Sequence, residues 1–509
     1  MREPRWDRLP TNGRGPGMSE GRGLRYVALD FGAESGRTVV GRFDGDQLSV
    51  EPVHRYANTP VRLAGTLYWD FPRQFGDIVA GLQRAAADGP VASVAVDTWG
   101  VDYGFIDARG RLLANPVHYR DGRHESMPEL AFGTVPRAEI YAATGIQIMS
   151  INTLFQLLSE ARSGDPILGQ ADRLLMMPDL FNHFLCGSLV AEYTEATTSG
   201  CLDPWTRDWA RPLLERLGIA THFLPEVVPP GTVLGELLPE VAEQTGLAGT
   251  QVVATAAHDT AAAVAATPLA GPSTAYISSG TWSLVGLEVP SPVIDERTLA
   301  ANITNEGGYG GTITLLKNVM GLWLIQQCRS TLWEADQRPS YEELSAMAAQ
   351  APSATAFVDP TDQRFLWPGD MPTRIRESCA ETGQPVPADT ATLLRVILES
   401  LAFSYAAVFD ELAAVTGQPI EQIHIVGGGV NNALLCQLTA DVSGRQVVAG
   451  PVEATAIGNI AIQAISSGEL ADIAEARELI GRSFPTATYE PVGDWAERRA
   501  RFAATVGSR

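Results

Sequence analysis

A chain of 509 residues exceeds what one hydrophobic core ordinarily serves, and its 45% apolar and 19% charged content is that of a globular protein rather than a disordered one. A formal net charge of −22 excludes a broad basic footprint for nucleic acid. It leaves room for a single nucleotide, which needs only a local nest of amides and a metal ion. The five cysteines are odd in number and form no CxxC pair, so reduced, mostly buried thiols are expected rather than a disulfide framework or a zinc site. No uninterrupted apolar run reads as long enough to span a bilayer.

Residues 1–23 carry Arg2, Arg5, Arg8, Arg14 and Arg22 among Gly and Pro, without the apolar stretch of a secretory signal. They are expected to form a flexible tail, with Met18 a second candidate initiator. From Tyr26 a β-rich run meets a Gly/Ser turn and returns as RTVVGRF, the pattern of a hairpin. Asp30 closes the first strand, and Gly32, Ser35 and Gly36 make a turn whose amides can approach a ligand closely. An amphipathic helix is expected over 73–87. The stretch 91–107 reads as strand, turn at Asp97-Thr98-Trp99-Gly100, and second strand, followed by an exposed-looking cluster at Tyr119, Arg120, Asp121 and Arg123. Residues 151–217 read as mainly helical and the Pro-rich stretch after them as extended.

QVVATAAHDTAAAVAATP gives strand, turn and helix, and the break at Pro268, Gly271 and Pro272 is the expected domain boundary. Beyond it, STAYISSGTWSLVGLEV repeats the strand–turn–strand organisation of 26–43. Two such hairpins, each opening one half of the chain, point to a duplicated architecture. LKNVMGLWLIQQCR reads as a helix with Gly321 inside it, and 390–416 as a long helix with one buried face, ended by Gly417. Strand QIHIV, the run Gly427-Gly428-Gly429 and a helix beginning near Asn431 or Asn432 follow.

The Gly-bearing turns limit the chemistry. DFGAESGR lacks the Lys-Ser/Thr of a P-loop. GGGVNN stands where a dinucleotide fingerprint would, but Asn432 replaces its third glycine, so hydride transfer stays open as a weaker alternative. Two hairpin turns and one strand–Gly–helix turn suit the phosphates of a nucleotide, and phosphoryl transfer asks the protein mainly for positioning, Mg²⁺ and a base. Asp259 is the candidate base. Its ordinary structural role is a helix N-cap, and the two are compatible.

Taken together and in order, DFGAESGR, VDTWGVDYGF, YRDGR, AHDTAAAV, SSGTWSLVG, TNEGG, LKNVMGLW and IVGGGVNN closely resemble the FGGY carbohydrate kinases, from about Tyr26 to about Gly468. The resemblance implies an α/β fold of two actin-like, ribonuclease-H-like domains, over 24–267 and 272–490, with a catalytic cleft between them. It implies transfer of the ATP γ-phosphate, with Mg²⁺, to the 1-hydroxyl of L-rhamnulose by a cytoplasmic monomer or homodimer that binds neither nucleic acid nor membrane. L-fuculose or L-xylulose is the alternative substrate, and a non-catalytic, sugar-responsive actin-like protein the remote one. Carried over by residue, Asp259 is the proton acceptor, and Gly100, His258, Thr260 and Asn318 contact the sugar. Ala33, Glu34, Ser35, Gly36 and Arg37 face the phosphates with Thr281, Gln326 and Gly428, and Asp30 and Asp97 hold Mg²⁺ through water. Glu34 departs from the family pattern, where a small or hydroxyl residue is commoner.

Overall fold

The computed structural model describes residues 24–269 and 271–506; the expected N-terminal tail lies outside them. Strand β1 (Leu24–Phe31) turns into β2 (Ser35–Phe43), which continues to β3 (Leu48–Ala57). Helix α1 (Phe71–Ala86) starts on Asp70, whose side chain accepts the Arg73 amide, and leads to β4 (Ser93–Thr98). The stretch expected to be mainly helical is broken by short strands. Within it, Val190–Glu192 is extended between α2 (Met177–Cys186) and α3 (Tyr193–Thr198). Then come β5 (Thr232–Glu236), β6 (Gln251–Ala254) and α4 (Asp259–Ala266). The second half runs β7 (Thr274–Ser279), β8 (Trp282–Val289), β9 (Thr304–Gly307), β10 (Ile313–Met320) and α5 (Trp323–Leu332). It continues through α6 (Thr390–Thr416), β11 (Gln422–Val426), α7 (Ala433–Ser443) and β12 (Gln446–Ala449) to α8 (Ala454–Ser466), α9 (Ile473–Ser483) and β13 (Ala487–Tyr489).

Two compact units divide the chain. The first takes the described part of Met1–Pro268 together with Glu288–Leu315 and Ala454–Ser483. Its six-stranded sheet has the order β5-β6-β4-β1-β2-β3. β1, β4 and β6 run parallel, while β2 and β3 extend the sheet as an antiparallel meander. The central strands are apolar on both faces, with Val27, Leu29, Val94 and Val96 all at 0% exposure, as expected where helices cover a sheet on both sides. α4 and α8 meet with their backbones nearly touching: a Cβ placed on Gly458 would lie 1.9 Å from the Ala262 carbonyl oxygen.

The second unit holds Leu269–Leu287, Leu316–Glu453 and the described part of Phe484–Arg509. Its strands follow the order β10-β8-β7-β11-β12-β13. β11 lies parallel to both β7 and β12, and β8 is antiparallel to β7. Three strands in reverse chain order followed by two parallel ones is the arrangement of the first sheet as well. The duplication expected from two similar hairpins is therefore a duplication of sheet topology.

One sequence expectation changes here. Lys317, Asn318, Val319 and Met320 belong to strand β10, not to a helix, and helix α5 starts only at Trp323. Gly321 is the turn between them, where a Cβ would sit 2.6 Å from the Trp282 carbonyl carbon. By length and composition the long helix α6 is apolar enough to cross a membrane, although Arg395, Glu399 and Asp410 interrupt its apolar run. It serves instead as a core helix, with Leu394, Ile397, Leu398, Leu401, Tyr405 and Phe409 at 1% exposure or less.

Candidate active site

In the first unit the chemistry-bearing residues gather at the carboxyl ends of the parallel strands, where open α/β sheets hold their ligands. Asp30 on β1 and Asp97 on β4 are direct register partners. One residue on, Thr98 bridges to His258, and its amide donates to the Ala257 carbonyl at 2.8 Å. Asp259 follows immediately, so three carboxylates from three adjacent strand ends share one neighbourhood. Arg37 answers them, its Nε 2.8 Å from Asp30 Oδ2.

Asp259 does not cap its helix. The cap position is His258, with no side-chain cap bond, and Asp259 is the first helical residue. Its carboxylate accepts the Thr260 hydroxyl at 3.1 Å, and its side chain keeps 31% of its surface exposed. The surrounding protein mass and then the Asp30 charge push its pKa up to about 7. His258 is driven down to about 3 by burial and is neutral, with Nδ1 3.4 Å from Glu306 Oε2 on β9. Burial, reinforced by Asp30, holds Asp97 well above the usual carboxylate range. Asn459 donates to its Oδ2 at 2.6 Å, while Oδ1 is buried without a hydrogen-bond partner among the described residues.

That orphaned oxygen, beside two further carboxylates, is chemistry that a cation would satisfy. Mg²⁺ characteristically uses one or two carboxylates and keeps its waters, so Asp30 and Asp97 fit a hydrated ion. Among the described residues no group of three or more His, Cys, Asp or Glu could enclose a metal directly.

The β1–β2 turn is clamped from below. The Gly32 amide reaches the Ser35 carbonyl at 3.0 Å, and Asn58 binds Glu34 O through its amide and Gly32 O through its side chain, both at 2.9 Å. A Cβ on Gly36 would strike the Tyr56 ring at 2.2 Å, so only glycine allows β2 to lie this close to β3. Ala33 is half-buried, and Glu34 and Ser35 are exposed.

Gly100 lies beneath α3, where a Cβ would meet the Thr198 side chain at 3.0 Å. The next residue, Val101, has φ of 73°, costly for a β-branched side chain. Its amide binds Thr198 Oγ1 at 3.0 Å and its carbonyl accepts Thr153 Oγ1 at 2.6 Å. Beyond it, Asp102 accepts both indole N–H groups, Trp69 at 2.6 Å and Trp99 at 3.0 Å. Trp99 and Tyr103 are thus buried, at 5% and 4% exposure. The cluster that looked exposed in the sequence is not: Tyr119, Arg120 and Asp121 are buried, because Asp121 accepts the Leu67 amide and Arg120 lies over the Tyr119 ring.

In the second unit the SSGT turn and the triple glycine end neighbouring parallel strands. Ser279 packs so tightly under them that a Cβ on Gly429 would sit 2.0 Å from its Oγ and one on Gly427 3.0 Å from its carbonyl oxygen. Gly428 itself is exposed with open space beside it. The Thr281 carbonyl accepts the amides of Gly321 and Trp323, both at 3.1 Å, and Gln326 Nε2 lies 3.5 Å from Thr281 Oγ1. Thr281 and Gln326 are thereby brought together, while Gly428 lies in the turn after β11 and Asn318 stands on β10.

Sequence reading missed the residues that hold this frame. Glu192 caps α3 and also accepts the Ala257 amide at 3.1 Å, and Thr194 Oγ1 accepts the His258 amide at 3.2 Å, so the turn bearing Asp259 hangs from α3. Asn459 and Gln463 had a readable signal, two amides four residues apart in an otherwise apolar helix. Glu192 and Thr194 had none, because their role depends on which turn packs against them.

Two units of repeated α/β topology define the fold of a sugar kinase. Solved structures sharing it include gluconate kinase from Lactobacillus acidophilus, with TM-score 0.76, 18% identity and 96% of each chain covered. Another is Plasmodium falciparum glycerol kinase with ADP, with TM-score 0.76 and 15% identity over 96% of this chain and 98% of that one. The family models for the FGGY family of carbohydrate kinases match residues 25–266 as the N-terminal domain and 275–467 as the C-terminal domain. The chain belongs to the FGGY family of carbohydrate kinases. It is 44% identical to a rhamnulokinase of Bacteroides thetaiotaomicron over 92% of this chain and 96% of that one. A rhamnulokinase of Enterococcus faecalis is 40% identical over 91% and 94% of the two chains. One of Enterobacter sp. is 39% identical over 94% and 97%.

Proposed function

We propose that this chain transfers the γ-phosphoryl group of ATP to the 1-hydroxyl of L-rhamnulose, yielding L-rhamnulose 1-phosphate in L-rhamnose catabolism. It works in the cytoplasm as a monomer or homodimer. The observation that carries the reading is Asp259, a solvent-reaching carboxylate left uncapped at the start of α4 and set beside two more carboxylates. The choice of ketose is supported by three relatives named rhamnulokinase at 39–44% identity.

Asp259 takes the proton of the C1 hydroxyl as its oxygen attacks the γ-phosphorus in line. The new O–P bond forms as the bond to the β,γ-bridging oxygen breaks, and ADP leaves with that electron pair. Gly100, His258, Thr260 and Asn318 hold the ketose, the neutral imidazole acting as a hydrogen-bonding group rather than a cation. Amides of the turn Ala33–Arg37, with Thr281, Gln326 and Gly428, hold the phosphates. Glu34 is exposed, so water screens its charge. Bound Mg²⁺, held through water by Asp30 and Asp97, would neutralise charge on the transferred group.

Sugar-stimulated ADP release, measured over a ketose panel, tests the proposal. kcat/KM for L-rhamnulose is expected to exceed that for L-fuculose and L-xylulose by about 10-fold or more, because a misplaced hydroxyl leaves polar groups of the site unpaired. Equal efficiency across the panel overturns the choice of ketose. No stimulation by any ketose favours a non-catalytic sugar-responsive protein.

A further inference from the structure

Helix α8 carries a fully buried chain of amides that nothing in the reaction outlined above uses. The Ser93 hydroxyl donates to Gln463 Oε1 at 2.6 Å, and Gln463 Nε2 donates to Asn459 Oδ1 at 2.7 Å and to Val27 O at 3.1 Å. Asn459 Nδ2 then donates to Asp97 Oδ2 at 2.6 Å and to Ala95 O at 3.2 Å. Asn459, Gln463 and Asp97 are each at 0% exposure and Ser93 at 5%. Ser93 and Val27 anchor the Gln463 amide, and Gln463 Nε2 supports the Asn459 carbonyl oxygen. The Ala95 carbonyl and Asp97 itself, two acceptors on the same Nδ2, keep the Asn459 N–H, not its oxygen, toward the carboxylate.

The consequence falls on Asp97. One of its oxygens is occupied by Asn459, and the other, Oδ1, is buried with no hydrogen-bond partner among the described residues. A buried carboxylate oxygen left bare is costly unless something satisfies it. The network is satisfied up to that last atom. We infer that Asn459 is a positioning residue: from α8 it locks the Asp97 carboxylate so that Oδ1 alone faces the hydrated divalent cation. This rests on the assignment of Asp30 and Asp97 to that ion. Asn459 touches neither substrate nor ion and acts through Asp97.

Groups that orient a metal-binding carboxylate characteristically change metal affinity by about 10–100-fold when removed. The test uses the full chain with a non-hydrolysable ATP analogue and Mn²⁺, reading free Mn²⁺ by its EPR amplitude. Asn459→Ala is expected to raise the Mn²⁺ dissociation constant by about 10-fold or more, with KM for the ketose within about 2-fold of the parent. Asn459→Asp, of the same size but without the N–H donor, is expected to do the same. Gln463→Leu, one link further from the carboxylate, should lower the melting temperature while changing the Mn²⁺ constant far less. If Asn459→Ala does not accumulate folded, Asn459→Asp carries the test. An unchanged Mn²⁺ constant in a folded Asn459 variant, or an equal shift in Gln463→Leu, overturns the inference and leaves the metal assignment standing. A parent chain that retains no Mn²⁺ beyond that bound by the analogue overturns both, and the two failures are thus distinguished.

Discussion

Asp259 shows how a catalytic group differs from a structural one at the same place in a helix. An aspartate at an N-cap typically stabilises by about 1 kcal/mol, and its removal is felt in the fold. Here the cap position is His258, and Asp259 accepts the Thr260 hydroxyl with His258 Nε2 3.6 Å from the same oxygen. Two other carboxylates crowd it, and the Asp30 charge is among the causes that raise its pKa. Its charge therefore opposes folding rather than aiding it. Asp259→Asn keeps the shape, keeps an acceptor for the Thr260 hydroxyl and removes the repulsion. The expected outcome is a kcat lower by about 10²–10⁴-fold, the usual worth of a positioned base, with ATP affinity retained and a melting temperature equal to the parent's or higher. Steady-state kinetics and a thermal melt on one preparation check both halves. An active variant ends the assignment of Asp259 as base, and an inactive variant that is also unstable would mean that the residue supports the fold.

At the scale of elements, α4 is short and alanine-rich because α8 crosses it almost backbone to backbone. Ala261, Ala262, Ala265 and Ala266 are at 2% exposure or less, and Gly458 is the point of closest approach. Replacing a helix-interior glycine by alanine ordinarily stabilises by about 1 kcal/mol. At Gly458 the methyl would lie 1.9 Å from a carbonyl oxygen of α4, a backbone atom that cannot rotate away, so overpacking decides the sign. Gly458→Ala is expected to destabilise by about 1–3 kcal/mol and, by displacing the helix that begins at Asp259, to lower kcat. Gly76, inside α1 with nothing within 4 Å of an added Cβ, is the matched control: Gly76→Ala should stabilise by about 0.5–1 kcal/mol. Urea titrations of the two variants against the parent check the opposite signs. What was legible in the sequence follows from the same packing. Turn glycines, strand alternation and the αL glycine that ends α6 are local signals, so both hairpins and the long helix could be read directly. The strand over Lys317–Met320 could not, because its pattern suits a helix equally and only its pairing with β8 in the second sheet excludes one. Tyr119, Arg120 and Asp121 read as surface because the Leu67 amide that binds Asp121 is distant in sequence. Asp259 stood out through its motif, whereas Glu192 and Thr194 act on main chain of a turn distant in sequence, contacts with no sequence spacing of their own.

For the molecule as a whole, the buried titratable groups set how stability runs with pH. Burial pushes the carboxyls of Glu160 and Glu192 up to about 7, Glu160 despite Arg123 3.2 Å away and Glu192 despite four donors, and Asp102 up to about 6. A carboxyl whose folded value is raised contributes stability that is complete below its unfolded value, about 4, and is lost as pH climbs through the folded one. Buried histidines have the opposite sign. Burial lowers His124 and His424 to about 4 and His258 to about 3, so their contribution is complete above about 6.5 and is lost as pH falls. Below about pH 6.5 the two sets oppose each other; above it each histidine has only about 0.4 kcal/mol left to give, less than each carboxyl titrating near 7 loses. Stability should therefore fall from pH 6.5 to 8.0, by about 1 kcal/mol for each carboxyl titrating near 7. The net charge of −22 adds self-repulsion of the same sign, which salt screens. Glu160→Gln separates the buried contribution from the surface one, since it removes one titration and leaves an acceptor for Arg123. Urea unfolding followed by tryptophan fluorescence at the two pH values, in EDTA and 0.3 M salt (about 6 Å of screening length), should give a pH-dependent loss about 1 kcal/mol smaller in Glu160→Gln than in the parent. Equal losses in the two proteins would mean that Glu160 is already ionised in the folded chain at pH 6.5, with the Arg123 charge outweighing burial.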